Sequence, residues 1–163
     1  MAKKVAMTGM FVALAMIFSY VEVLIPINLG IPGMKLGLAN LVVVVTLYVL
    51  GAKTAFAVSI IRIMLVAMTF GNLSAMLYSM SGGILSFAGM ILLKKLPCLS
   101  VIGVSAAGGV LHNAGQLMVA MAVVENVHLM AYFPPLTIVG TITGTLIGFV
   151  SMQVIPRVKP MMK

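Results

Sequence analysis

Apolar residues gather in six stretches along the chain, roughly 4–25, 36–51, 54–70, 74–93, 100–124 and 134–155. A helix that crosses a bilayer needs about 20 mostly apolar residues, so the pattern predicts six transmembrane helices. The second and third stretches are short, and only Gly51-Ala52-Lys53 separates them. They are expected to form a tight helical hairpin. The remaining breaks are the Pro/Gly-rich segment 26–33, Phe70-Gly71-Asn72, Lys94-Lys95-Leu96-Pro97 and the segment from Glu125 to Pro135. No internal repeat or low-complexity linker interrupts this series, and residues 1–163 are expected to be a single transmembrane domain. The apolar run behind Lys3 and Lys4 resembles a signal peptide. It is long, has no convincing A-x-A cleavage site and precedes further apolar runs, so it is expected to be the first span.

Composition agrees with lipid as the solvent. Hydrophobic residues make up 63% of the chain and charged residues 7%, against about 25% charged in a soluble globular protein. Mean hydropathy is +1.26. Too few charges are present to wet a whole surface.

The charges are also placed unevenly. With the N-terminus on the cytoplasmic side, that side receives Lys3, Lys4, Lys53, Lys94, Lys95, Arg157, Lys159 and Lys163. The opposite side receives Lys35, together with Glu22, Glu125 and His128. Positive residues accumulate on cytoplasmic loops. The expectation is therefore an all-α integral membrane protein with both termini cytoplasmic, in a plasma membrane or prokaryotic inner membrane. The basic residues lie at the ends of apolar runs and not in a patch interleaved with aromatics, so nucleic acid is not an expected partner. Cys98, the one cysteine, falls in a predicted cytoplasmic loop and reads as an unreactive small residue.

Several enzyme classes lose their signatures. There is no G-x-x-x-x-G-K-[ST] loop for ATP phosphates, no H-E-x-x-H and no C-x-x-C. There is no G-x-S-x-G elbow. With two Glu and no Asp, no acidic cluster can hold Mg²⁺ on a diphosphate. The chain is expected not to be an enzyme, and to hold no metal and no resident cofactor.

What remains is a set of costly polar side chains. Arg62 lies near the middle of the third run, where an arginine costs about 2.5–3.5 kcal/mol on insertion scales. It must face the bundle interior or a wet cavity. One reading is an anion contact, the other a structural partner for Glu22 or for helix-end carbonyls. His112, Asn113 and Gln116 fall within an arc of about 100° on a helix, shared with Gly109 and Ala120. Either they line a ligand cavity or they bond between helices. Asn40, Gln116, Glu22, Asn72, Tyr78 and Lys35 all fall at mid or outer depth. Together these groups outline a cavity open to the outside.

Small residues recur at packing spacing. Gly140, Gly144 and Gly148 form overlapping G-x-x-x-G steps, expected to pack within the bundle. Gly103 and Ala107 form one step, and Gly9 and Ala13 another, which could face a partner.

The blocks Met34-Lys35-Leu36-Gly37-Leu38-Ala39-Asn40, Arg62, Tyr78-Ser79-Met80-Ser81-Gly82-Gly83, 101–109 and His112-Asn113-Ala114-Gly115-Gln116 together resemble the Gx transporter family, also labelled heptaprenyl diphosphate synthase component I. The likeness covers nearly the whole chain. That family is similar to the substrate-binding S components of energy-coupling factor transporters, six-helix membrane proteins that capture a vitamin from outside. The resemblance implies an S-component-like bundle. It also implies a small-x-x-x-small step, here Gly9 and Ala13, packing on a transmembrane scaffold subunit driven by cytoplasmic ATPases.

The expected function is therefore the substrate-binding membrane subunit of a vitamin-type importer. Asn40, Arg62, His112, Asn113 and Gln116 would hold the substrate, with Lys35 and Tyr78 at the mouth. The favoured substrate is a flavin, riboflavin or its monophosphate FMN, as cargo and not cofactor. Asn, Gln and His can read its ring, and Arg62 or Lys35 can take a phosphate. Two alternatives stand. One is an accessory membrane component of isoprenoid or quinone synthesis that binds a polyprenyl diphosphate. The other is a proton-coupled carrier acting alone through Glu22 or His112.

Overall fold

The computed structural model describes residues 2–24 and 37–162. The 26–33 break and Lys35 lie outside the described residues. Six α-helices run in order: α1 Ala2–Leu24, α2 Leu38–Val49, α3 Ala52–Thr69, α4 Leu73–Leu93, α5 Val101–Val124 and α6 Phe133–Val158. Two 3₁₀ turns, Val127–Tyr132 and Lys159–Met162, flank α6. No strand occurs among the described residues. Each helix falls within a few residues of its apolar run. The chain is an all-α membrane protein. Helices α1, α3, α4, α5 and α6 with its flanking turns are long and apolar enough to cross a membrane.

The shorter helix, α2, has another place. Its 12 residues rise about 18 Å, well short of a hydrocarbon core of about 30 Å. Val42 through Leu47 are all buried. A helix that is apolar on every face is stable only when surrounded, and α2 is. Val43, Val44 and Leu47 pack with Ala55 of α3, Phe87 and Met90 of α4, Val104 of α5 and Ile147 of α6. Val42 and Val45 pack with Phe11 and Ala15 of α1. The other five helices enclose it, and their outward residues, such as Ile17, Ile84, Met118, Ile138 and Leu146, stay exposed for lipid.

Local chemistry sets the ends. Asn72 Oδ1 accepts from the Ala75 amide at 2.7 Å, capping α4, and Ser100 Oγ accepts from Gly103 at 3.3 Å, capping α5. Glu125 ends α5 with φ 52°. The α2–α3 connection turns at Gly51, whose φ of +89° suits a residue without Cβ, so the hairpin expected from Gly51-Ala52-Lys53 is present.

Helices α5 and α6 cross closest at their glycines. A methyl group on Gly144 would lie 2.6 Å from the Ser105 carbonyl, and one on Gly148 would lie 2.6 Å from Ile102 Cα. One on Gly109 would strike the Gly140 carbonyl. The three-glycine run of α6 therefore packs inside the bundle, as its spacing predicts. On α5 its counterparts are Ile102, Ser105, Ala106 and Gly109.

Among the described residues the lysines and Arg157 collect at one end. Lys94, at the C-cap of α4, donates from Nζ to the Leu47 carbonyl at 2.8 Å, which closes the C-terminal turn of α2. The same ammonium lies 4.4 Å from the Tyr48 ring centroid. Burial, and then the like charge of Lys159, push the Lys94 ammonium below its ordinary pKa.

Candidate functional site

Two separate cavities hold the polar groups of the bundle. The larger, about 230 Å³, lies between α1, α3 and α4. Ser19, Glu22, Arg62, Asn72 and Ser79 supply its polar lining, and Ile63, Val66, Phe70 and Met76 its apolar wall. It runs from the middle of α3 to the exposed turn at Gly71 and Asn72, the end opposite the lysines.

Arg62 is the unusual member. Only 8% of it is exposed. Its Nε and Nη2 are buried with no hydrogen-bond partner among the described residues. A guanidinium presents five donors in a planar fork, so part of this fork is buried without an acceptor among the described residues, in a side chain that lines the cavity. Buried charges are normally paired. The nearby opposite charge is Glu22, whose carboxylate attracts Arg62 electrostatically.

Glu22 has a second duty. Its Oε1 accepts from the Leu38 amide at 2.6 Å. The N-cap of α2 is Gly37, which has no side chain to close the helix start. A carboxylate from sixteen positions earlier takes that place, favoured by the positive end of the helix dipole. Glu22 thus ties the end of α1 to the start of α2 beside the Arg62 cavity.

The smaller cavity, about 30 Å³, lies between α2, α4, α5 and α6. Asn40, His112, Asn113 and Gln116 line it, with Ser86, Ser105 and Thr143. It has room for no more than a few waters. Polar groups here already bond between helices, and one pair bonds within α5. Asn113 Nδ2 donates to the Leu136 carbonyl of α6 at 2.9 Å. Gln116 Nε2 lies 3.2 Å from His112 Nε2. Ser81 Oγ of α4 donates to the Gly115 carbonyl of α5 at 2.9 Å. A methyl group on Gly82 would lie 2.6 Å from the His112 carbonyl and 2.8 Å from Gln116 Cγ. The helices meet too closely here to leave more room.

The residues expected to form one site thus fall in three places. Asn40, His112, Asn113 and Gln116 share the small cavity. Arg62 stands in the larger one, without them. Tyr78 is half-buried on α4 and lines neither. Gly9 and Ala13 are exposed on α1, and a methyl group on Gly9 would meet nothing within 4 Å. Ser19 and Ser79, which the sequence did not single out as site residues, join the Arg62 lining. Ser19 sits one helical turn before Glu22, and that spacing was the available signal. Among the described residues no three His, Cys, Asp or Glu side chains gather closely enough to hold a metal ion.

Comparison with known proteins gives one result. Residues 11–154 match the family model described as heptaprenyl diphosphate synthase component I. No curated protein and no solved structure matches the chain. The match spans most of the 163 residues, and the chain belongs to that family.

Proposed function

We propose that this chain is the substrate-binding membrane subunit of an importer, and that it captures a small molecule carrying an anionic group. The carrying observation is Arg62, buried, with Nε and Nη2 unsatisfied among the described residues, on the wall of a cavity of about 230 Å³. A carboxylate or phosphate oxygen accepts strongly from such a fork. The cavity reaches the end of the bundle that bears few positive charges. With lysines marking the cytoplasmic side, that end is extracytoplasmic and the membrane is the cell membrane. Substrate enters from outside, displaces Glu22 as the counter-charge of Arg62, and leaves when the bundle reorients. A transmembrane scaffold and cytoplasmic ATPases would drive that step, since no ATP-binding loop occurs in this chain.

Small-molecule pockets usually measure about 300–1,000 Å³. A flavin therefore fits only if the helices part. FMN would place its phosphate on Arg62 and its ring toward the outer turn. Widening the seam between α4 and α5 would let His112 and Gln116 reach the ring.

The family description favours a second reading, in which the chain holds a polyprenyl diphosphate for a synthase partner. Both readings put an anionic oxygen on Arg62 and differ in what trails from it. Equilibrium binding of FMN and of heptaprenyl diphosphate to the purified chain separates them. Saturable FMN binding without prenyl diphosphate binding supports import. The reverse result overturns it in favour of the synthase subunit.

A further inference from the structure

A third concavity, away from both cavities above, opens on the lipid-facing side between α1 and α3. It measures about 720 Å³ and is lined by Lys4, Val5, Thr8, Gly9, Val12, Lys53, Thr54, Ala57 and Ile61. Its polar groups are arranged at one end. Lys4 and Lys53 stand at the beginnings of their helices, both exposed. Neither ammonium has an ion pair or hydrogen bond among the described residues. From them the groove follows both helices for eight residues, to Val12 and to Ile61, or about 12 Å at 1.5 Å per residue.

Its floor is bare because Gly9 carries no side chain and a methyl group there would touch nothing within 4 Å. Its walls are apolar. The one hydroxyl of α1 in the groove, Thr8 Oγ1, is turned back onto the Lys4 carbonyl at 2.8 Å. Helices α1 and α3 both start at this end, so the positive ends of two helix dipoles add to the two ammonium groups.

An apolar trough with a doubly cationic head suits an amphiphile with an anionic head and an apolar tail, and in a bilayer the abundant molecule of that kind is an anionic phospholipid. We propose that the groove is a binding site for an anionic phospholipid of the leaflet at the basic end. The headgroup phosphate lies between Lys4 and Lys53, and an acyl chain lies along Gly9, Val12, Ala57 and Ile61. Clusters of basic residues between transmembrane helices recognise anionic headgroups in this way. A partner helix could use the same small floor, but it would not need two unpaired lysines at the groove's head.

The test is native mass spectrometry of the full chain released from detergent, titrated with phosphatidylglycerol or with phosphatidylcholine of the same acyl chains. The expected result is one tightly retained phosphatidylglycerol and no retained phosphatidylcholine. The double variant Lys4→Gln/Lys53→Gln should lower retention by roughly 10–30-fold, the effect of two surface charges. Gly9→Leu fills the floor at an open position and should also expel the lipid, with the thermal midpoint unchanged. Lys95→Gln/Arg157→Gln removes as much charge from exposed sites outside the groove and should leave retention intact. Equal retention of the two lipids, an equal loss in that control, or full retention by Gly9→Leu would each overturn the proposal. The last would leave the groove to a protein partner.

Discussion

Replacing Arg62 by Gln asks whether the guanidinium holds a ligand or only balances Glu22. Gln keeps hydrogen-bonding capacity and removes the charge and the fork. In the native chain Nε and Nη2 have no acceptor among the described residues, while Glu22 is held to the Leu38 amide at 2.6 Å. A hydrogen bond to a charged group contributes about 1.5–3 kcal/mol, which is roughly a 10–150-fold change in affinity. FMN and riboflavin differ only in the phosphate, so their ratio isolates that contact. Isothermal titration of the detergent-purified chain should show FMN binding roughly 10–150-fold tighter than riboflavin. In Arg62→Gln the ratio should fall to near one, with riboflavin affinity little changed. Glu22→Gln removes the competing carboxylate, so FMN affinity should rise and not fall. Thermal midpoints of both variants establish that they are folded. An unchanged FMN-to-riboflavin ratio in a folded Arg62→Gln protein would refute the reasoning and make the arginine a structural partner of Glu22.

Other outcomes follow from the packing. Gly144→Leu places a side chain where its Cβ meets Ser105 O at 2.6 Å and Ala106 Cα at 2.7 Å. It should destabilise by about 1–3 kcal/mol or more, read as a lowered thermal midpoint, whereas Gly9→Leu should leave the midpoint unchanged. Asn113→Leu removes the bond to the Leu136 carbonyl. It should cost about 0.6–2 kcal/mol of stability and change FMN affinity far less than Arg62→Gln does. Lys94→Met removes both the Leu47 carbonyl bond and the contact with the Tyr48 ring. It should lower stability by about 1–2 kcal/mol, checked by thermal melting at fixed detergent concentration.

The fold was largely legible because lipid-facing helices need long apolar runs, and those runs end where Lys, Gly, Pro and Asn interrupt them. The α5–α6 crossing was legible for a related reason. Gly140, Gly144 and Gly148 make a stripe that only close backbone approach would use. The place of α2 was visible only in its shortness. That five helices enclose it depends on which neighbours share its Val-rich surface.

The polar groups were harder to assign. Helical spacing correctly put His112, Asn113 and Gln116 on one arc. It carries no information on the distance to the opposing helices, and here Gly82 and Gly115 bring α4 close enough to leave about 30 Å³. Depth in the membrane joined Arg62 to this group, whereas the packing of α3 on α1 and α4 sets it apart with Ser19 and Glu22. The pairing of Glu22 with Arg62 was open from the sequence as one of two readings of the arginine. Its capping of α2 was not, because Gly37 disguises the helix start.

The central claim is that this chain captures an anionic small molecule at Arg62. It is tested most directly by mass spectrometry of small molecules that co-purify with the native chain and with Arg62→Gln, prepared side by side from the same host. The expected result is a carboxylate- or phosphate-bearing compound enriched with the native chain and lost from the variant. A compound retained equally by both, or none retained by the native chain even in low-stringency preparation, would contradict it.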